Sequence, residues 1–145
     1  LYEDALNSQE WNIESDSMKV VLGHECQKAT CSFRGRKWTA WFALDVPVSD
    51  GPLKFCGLPG LIMEVYDRGK QYYFCINGMQ QVSATPITYG ILDKDFKHFQ
   101  KTDRKDFLLS KYRYLRNQNS INEASTGISL GSVDEALKYD LIEKE

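Results

Sequence analysis

A dense run of prolines and glycines near the middle of the chain constrains the fold most. Six of these residues fall within positions 47–60: Pro47, Gly51, Pro52, Gly57, Pro59 and Gly60. Proline lacks the amide hydrogen that a helix interior or a central strand requires, and glycine weakens both structures. Residues 47–60 are therefore predicted to form a shaped, ordered loop.

Strand-like segments precede this loop. Trp11 and Ile13 alternate with polar residues, and Asp16-Ser17 offers a turn into residues 18–23, so the chain is predicted to open with a hairpin or two consecutive strands. Residues 23–33 continue in strand-like composition up to Arg34-Gly35-Arg36, where glycine permits a reversal of direction.

The next strand has two apolar faces. Within residues 37–44, Trp38, Ala40 and Phe42 alternate with Thr39, Trp41 and Ala43. A strand that is apolar on both sides is typical of the middle of a sheet. After the loop, residues 61–67 and 71–82 are predicted to be two further strands, joined by the turn composition Asp67-Arg68-Gly69-Lys70.

The pattern becomes helical in the last third of the chain. Leu108, Tyr112 and Leu115 follow helical spacing, so a helix is predicted after Thr102, with Thr102 as its N-cap. Residues 119–131 have the composition of a loop. Ser132 and Glu135 fit a capping box, which predicts a short C-terminal helix over 132–142.

These segments predict an α+β fold dominated by strands. We expect a curved antiparallel sheet of about five to seven strands with one or two covering helices. A length of 145 residues suits a single domain, 1–145. It would comprise a β-rich core (1–92), a helical segment (93–118), a loop (119–131) and the C-terminal helix. No apolar run approaches the length of a membrane span.

The charge of the chain argues against two classes of partner. A net charge of −2 gives no global reason to expect nucleic acid or an anionic membrane, because both call for a basic surface. Basic residues are in excess within 93–116 and acidic residues within 121–145, which indicates that these two segments lie near each other or are simply solvated faces.

The four cysteines, Cys26, Cys31, Cys56 and Cys75, include no C-x-x-C pair, and disulfides are the simpler interpretation. We favour Cys56 with Cys75, which leaves Cys26 with Cys31. Positions five apart in a straight strand point to opposite faces, so the second bridge requires a bend, and the crossed pairings stay open. Disulfides would place the protein in an oxidising compartment.

A basic and aromatic group surrounds the Gly35 turn. Arg34 and Arg36 flank the glycine and are followed by Trp38 and Trp41. Arginines bind carboxylate or phosphate in a bidentate manner, and tryptophan can stack a ring or a sugar alongside. These four residues are the predicted ligand-binding site. The alternative is a charged turn whose arginines stay in water while the tryptophans enter the core.

His24 and Cys26 form an H-x-C pair that could, with Cys31, hold copper or zinc. Alternate strand residues share a face, which favours such a site, but no fourth ligand is identified and oxidised cysteines are the simpler expectation. We therefore predict no metal and no cofactor.

Five blocks of sequence resemble the GLPGLI family of exported Bacteroidota proteins. In chain order the blocks are Gly23-x-x-Cys26-Gln27-Lys28-Ala29-Thr30, Phe33-Arg34-Gly35-Arg36, Trp38-x-Ala40-Trp41-Phe42, Pro47-x-x-x-Gly51-Pro52 and Phe55-x-Gly57-Leu58-Pro59-Gly60-Leu61-Ile62. The resemblance covers about half of the chain, from Trp11 to Asn77, and Cys31 is not part of it. It implies an exported protein of the periplasm, the outer-membrane surface or the exterior, with an unassigned biochemical role.

The hexapeptide Gly57-Leu58-Pro59-Gly60-Leu61-Ile62 is the family motif. It could present backbone amides to a ligand. We favour a structural interpretation, in which Leu58, Leu61 and Ile62 enter the core while Pro59-Gly60 forms a type II-like turn.

The leading functional hypothesis is an envelope binding or accessory module without turnover, whose ligand or partner is a peptide, a lipid, a small molecule or another envelope protein. One alternative is a metal-handling protein or an enzyme that uses His24 and Cys26. The other is a purely structural interaction domain, which would present an apolar patch.

Overall fold

The computed structural model of the chain describes residues 9–83, 101–118, 124–128 and 142–143. The chain forms two compact units: Ala5–Ala84 with Ile142–Glu145, and Leu1–Asp4 with Thr85–Leu141. All strands found in the described ranges lie in the first unit, which we call the sheet unit. The single domain over 1–145 stays a prediction, and nearly all of the helix predicted over 132–142 lies outside the described residues.

The sheet unit contains five strands in one antiparallel sheet. They are β1 (Asn12–Val21), β2 (His24–Phe33), β3 (Arg36–Ala43), β4 (Leu61–Asp67) and β5 (Tyr73–Cys75), and they follow one another in space in this order. This arrangement confirms the β-dominated α+β class, the antiparallel sheet and the central place of β3.

Two-residue turns connect the first three strands. Leu22-Gly23 joins β1 to β2 with φ angles of 50° and 84°, and Arg34-Gly35 joins β2 to β3 with 52° and 72°. Positive φ at both central residues is the type I′ geometry, whose twist matches that of the flanking strands. The predicted reversal at Arg34-Gly35 is confirmed.

The predicted turn at Asp16-Ser17 is wrong, because this segment lies inside β1. Glu14 pairs with Lys28 of β2 and the next pair is Met18 with Gln27, so residues 15–17 have no counterpart on β2. The segment is a bulge in a single long strand. β1 stays one element because both of its halves pair with the same uninterrupted β2.

The strand predicted over 71–82 is much shorter than expected. Only Tyr73–Cys75 pairs with β4, and Tyr66 pairs with Tyr73, so the connecting turn takes in residues 67–72. Asp67 orders this turn: its carbonyl accepts the Lys70 amide at 2.8 Å and its carboxylate accepts the Tyr72 amide at 3.0 Å. The Asn77-Gly78 pair that follows is unfavourable for a strand.

The loop over residues 47–60, which we call the Pro/Gly loop, is ordered and packs on one face of the sheet. Phe55 and Leu58 are buried in the main core cluster beside Phe42. The segment before β1 holds the loop in place, since Trp11 Nε1 donates to the Cys56 carbonyl at 2.8 Å. The buried side chain of Gln9 donates a hydrogen bond from Nε2 to the Lys54 carbonyl and accepts one at Oε1 from the Cys56 backbone amide.

The hexapeptide ends this loop and begins β4. Leu58 and Ile62 are buried as predicted, and Leu61 is half-buried. The predicted type II-like turn is wrong, because positive φ occurs at Gly57 (92°) and not at Gly60. Gly60 is needed for another reason: a Cβ atom there would lie 2.0 Å from the Ala43 carbonyl oxygen.

The second unit contains helix α1 (Arg104–Arg116). Its N-cap is Asp103 and not the predicted Thr102, because the Asp103 carboxylate reaches the Asp106 amide at 2.8 Å. Residues 124–126 are helical, so the loop predicted over 119–131 is wrong at those positions. No helix in the described ranges is long and apolar enough to cross a membrane.

Candidate functional site

The two faces of the sheet differ along the middle rows of the strands, although each face carries a core cluster and Trp41 packs against the one on its own face. Ala29, Ala40 and Val65 pair across β2, β3 and β4 and are fully buried beneath the Pro/Gly loop. We call this side the covered face and the other side the open face. Because side chains alternate along a strand, the residues next to these three point to the open face.

Two consecutive rows of paired residues cross all five strands on the open face. The first row is Asn12, Thr30, Thr39, Tyr66 and Tyr73, and the second is Glu14, Lys28, Trp41, Glu64 and Cys75. Every member except Glu64 is half-buried or exposed. The open face therefore presents hydroxyl, amide, carboxylate and ammonium groups around a central tryptophan.

A buried carboxylate and two lysines fix the charges of this face. Glu64 is only 4% exposed and forms an ion pair with Lys19, whose ammonium lies 5.6 Å from the centroid of the Trp41 ring. Lys28 forms a more exposed ion pair with Glu14 at 2.8 Å. Each carboxylate of the two rows is thus bound by a lysine.

Two tyrosines extend the aromatic surface towards the edge of the sheet. Tyr66 and Tyr73 stack with centroids 6.0 Å apart, and Trp41 Nε1 lies 3.5 Å from the Tyr66 hydroxyl. Although Tyr73 is 52% exposed, reduced hydration of its hydroxyl, a hydrogen bond to Cys75 and the charge of Glu64 raise its pKa to about 12. The hydroxyl therefore stays protonated at neutral pH and can donate a hydrogen bond.

The structure does not bring the predicted ligand-binding residues Arg34, Arg36, Trp38 and Trp41 into one site. Arg36 is buried, with Nη1 2.9 Å from the Asp67 carboxylate and its guanidinium 4.8 Å from the Tyr72 ring centroid. Trp38 is buried on the covered face, where its Nε1 donates to the Phe33 carbonyl at 3.0 Å. The alternative interpretation describes Trp38 correctly, because this side chain is in the core, but it is wrong for Arg36, which is buried and does not stay in water.

Trp41 and Arg34 lie in two separate places. Trp41 is three positions after Trp38 on β3 and therefore points to the open face. Arg34 lies at the β2–β3 turn, beside an apolar cavity of about 280 Å³. The lining residues of this cavity are Phe33, Arg34, Trp38, Leu53, Lys54, Phe55, Ile142 and Glu143.

The sequence analysis did not identify Lys19, Glu64, Tyr66 and Tyr73 as site residues. The sequence did contain evidence for two of these residues, because Glu64 and Tyr66 alternate with apolar residues in β4 and therefore share a face of the strand. The contact of Lys19 with Glu64 could not be found in this way, because it depends on the bulge in β1 and on pairing across four strands.

All four cysteines are free, and neither favoured disulfide is formed. Cys26 and Cys31 belong to core clusters on opposite faces of the sheet. Cys56 lies in the loop over the covered face, whereas Cys75 lies on the open face. Burial raises the pKa of the Cys26 thiol and raises that of Cys31 to about 12, so both thiols are unreactive at neutral pH.

The alternative metal site at His24 and Cys26 gains no third ligand among the described residues. His24 Nδ1 lies 2.7 Å from the Asp45 carboxylate, and Cys26 is buried beneath the same face. Across the described part of the chain, no three histidine, cysteine or acidic side chains lie close enough to hold a metal ion.

Comparison with known proteins gives two similarities. A family described as a protein of unknown function, Porph_ging, matches residues 32–64, from the end of β2 into β4. A solved structure of PNGF-II in space group P21 is 19% identical with a TM-score of 0.37, and the match covers 68% of this chain and 17% of that chain. No curated protein matches the chain significantly.

Proposed function

We propose that this chain is an exported cell-envelope binding module, without turnover, which holds a saccharide on its open face. The observation that carries the proposal is the position of Trp41 at the centre of two rows of polar side chains. A pyranose ring has a flat surface of C–H bonds, which packs against an aromatic ring, and a rim of hydroxyl groups, which require hydrogen-bond partners.

The open face offers both kinds of contact. Trp41 supplies the ring surface, and the stacked Tyr66 and Tyr73 supply a second aromatic surface one row away. Thr30 and Thr39 are paired neighbours beside Trp41 and provide hydroxyl groups that both donate and accept. The ligand would lie across the strands with its ring on Trp41.

The charges on the face favour binding over hydrolysis of a sugar. Glycoside hydrolysis commonly uses two carboxyl groups, one of which is held protonated to serve as the acid. Glu14 and Glu64 each already form an ion pair with a lysine of the same face. The two carboxylates are therefore held in place and are suited to accept hydrogen bonds from the hydroxyl groups of a sugar.

Export is the part of the proposal that the sequence resemblance supports. Four of the five resembling blocks lie within or overlap residues 32–64, the segment similar to the Porph_ging family. Expression of the full-length natural gene with a C-terminal epitope tag tests this point. We expect the tag in the envelope or culture fraction, and retention in the cytosolic fraction would contradict export.

Saccharide binding can be tested through the three tryptophans, because each indole N–H gives its own NMR signal. The ¹⁵N-labelled chain would be titrated with maltotriose, cellotriose and chitotriose. We expect at least one trisaccharide to shift the Trp41 indole signal with a Kd of about 1 mM or lower, while the Trp38 signal stays in place. If all three sugars leave Trp41 unshifted, the proposal is overturned.

A pair of exposed tyrosines provides a matched control. Tyr73 is 52% exposed on the open face, and Tyr114 is 55% exposed on α1. Tyr73→Ala should weaken binding of the trisaccharide by about fivefold, since an aromatic contact contributes about 1 kcal/mol. Tyr114→Ala should leave the affinity unchanged, and equal losses in both variants would contradict a site on the open face.

A further inference from the structure

We infer that the saccharide of the proposed function is anionic, and that its carboxylate or sulfate group lies against Lys37 and Arg68. This inference rests on the proposed function, because it names the class of sugar that the same open face takes. Its basis is a groove of about 600 Å³ at one end of the open face. Every member of the first row except Tyr73 lines this groove.

A further row of polar residues lies beyond the first row, and we call it the basic row: Ser32, Lys37 and Arg68. Ser32 pairs with Lys37 between β2 and β3, and the Arg68 amide donates to the Lys37 carbonyl at 3.0 Å. Each of the three is two positions from a member of the first row, so alternation places it on the open face. All three are exposed and line the groove. The basic row therefore continues the proposed saccharide surface.

The groove has an excess of positive charge. Its charged lining residues are Glu10, Lys37 and Arg68, whose formal charges sum to +1. Within the residues that the structure describes, neither Lys37 nor Arg68 has an ion-pair partner, whereas Glu14 and Glu64 of the second row are each paired with a lysine. The two cations of the basic row are thus available to a ligand.

The two cations are also neighbours across the sheet. Trp38 pairs with Asp67 between β3 and β4, and the main-chain bond from Arg68 to Lys37 continues this register by one step. Like charges in such cross-strand positions repel each other and destabilise the sheet. An anionic group bound between the two side chains would remove this repulsion.

The surroundings of these cations suit a sugar that carries an anionic group. A guanidinium offers two parallel N–H donors to an oxyanion, and an ammonium adds a point charge. Thr30, Thr39 and Tyr66 line the same groove and supply hydroxyl groups that donate and accept hydrogen bonds. A simple inorganic anion would use the cations alone, whereas an acidic saccharide would use both kinds of group.

The distance between Trp41 and the basic row sets the size of the ligand. Trp41 and Lys37 are four residues apart on β3, which is about 13 Å along a strand. A single pyranose ring on Trp41 does not span this distance. The anionic group therefore belongs to another unit of an oligosaccharide that crosses the strands obliquely, from Trp41 towards Lys37 and Arg68.

Matched trisaccharides test the charge of the ligand. Cellotriose and maltotriose would be compared with the same sugars after oxidation of each C6 hydroxymethyl group to a carboxylate, and after sulfation at C6. We expect at least one anionic form to shift the Trp41 indole signal with a Kd about fivefold lower than that of its neutral parent, which corresponds to about 1 kcal/mol. This advantage should be largest in dilute buffer and should disappear at about 1 M NaCl, because salt screens exposed charges.

Substitution of both cations locates the anionic group. Lys37→Gln with Arg68→Gln should abolish the advantage of the anionic sugar and leave the affinity for the neutral parent unchanged. Both side chains are exposed, and the hydrogen bond between these residues joins main-chain atoms, so the double variant keeps its sheet contacts. Lys111→Gln with Arg113→Gln removes an exposed lysine and an exposed arginine from α1 and should keep the full advantage.

Two results would each overturn the inference: no anionic form binds more tightly than its neutral parent, or the Lys37→Gln, Arg68→Gln variant retains the advantage. If neutral sugars shift Trp41 and the anionic forms bind no better, this inference alone fails and the proposed function stands. If neutral and anionic sugars all leave Trp41 unshifted, both fail together.

Discussion

At the scale of single residues, Glu64 determines the electrostatics of the open face. Its carboxylate is almost completely buried and is bound by Lys19, which also contacts the Trp41 ring. Removal of this lysine, whose side chain is itself 38% exposed, would leave the buried carboxylate without a compensating charge, which is costly inside a protein. Glu14 and Lys28 form a comparable pair that water reaches from both sides.

These two pairs yield a prediction about stability. Lys19→Met should lower the free energy of unfolding of the sheet unit by about 3 kcal/mol, whereas Lys28→Met should lower it by about 1 kcal/mol at most. Urea denaturation followed by tryptophan fluorescence measures both, since all three tryptophans lie in the sheet unit. Equal losses in the two variants would contradict the buried state of Glu64.

Gly60 gives a second prediction at this scale. Alanine there would place its Cβ 2.0 Å from the Ala43 carbonyl oxygen, so the hexapeptide would have to move away from the end of β3. Gly60→Ala should cost about 3 kcal/mol or more in urea denaturation. Gly78→Ala is the matched control, because its Cβ would meet nothing within 4 Å, and it should change stability by less than about 1 kcal/mol.

At the scale of elements, local pattern predicted the strands better than it predicted their interruptions. β4 begins and ends where expected, at Leu61 and Asp67, because glycine precedes it and turn residues follow it. The bulge in β1 was missed, since a turn and a bulge have similar local composition and only the pairing with β2 separates them. β5 ends at Cys75, shortly before Asn77-Gly78, and the hydrophobicity of residues 71–82 alone does not show this end.

The β1–β2 turn yields a prediction of increased stability. Leu22 occupies the first position of a type I′ turn with φ of 50°, a conformation that asparagine tolerates better than leucine does. Leu22→Asn should therefore raise the free energy of unfolding by about 0.5–1 kcal/mol. Leu44→Asn is the control at equal exposure, 49% against 48%, and lacks the positive φ. A gain in the control but not at Leu22 would contradict the turn type.

At the scale of the whole molecule, the fold class could be predicted from the sequence but the site could not. Strand alternation already placed Trp38 and Trp41 on different faces, yet their closeness in sequence suggested one site with Arg34 and Arg36. The sheet register separates them, and it assembles the open face from all five strands. Such an arrangement depends on contacts between residues far apart in the chain, which local pattern does not encode.

The buried thiols predict how the stability of the sheet unit depends on pH. Burial raises the pKa of Cys31 from the ordinary value of 9.0 to about 12 and also raises the pKa of Cys26. Below pH 9 the Cys31 thiol is protonated in both states, whereas between pH 9 and about 12 it ionises only in the unfolded state. The unfolded state then binds fewer protons, so stability falls as the pH rises, by at most about 1.4 kcal/mol per pH unit for each thiol.

Cys31→Ala should therefore reduce the loss of stability between pH 9 and 11, within the window in which the Cys31 thiol differs between the two states. Urea denaturation under reducing conditions measures this loss by tryptophan fluorescence, and the comparison is between slopes against pH, because the substitution also removes packing at every pH. Cys56→Ala, which removes a half-buried thiol in the loop, is the matched control. If the Cys31→Ala slope matches that of Cys56→Ala, Cys31 does not stay protonated in the folded sheet, and its position in the core would have to be revised.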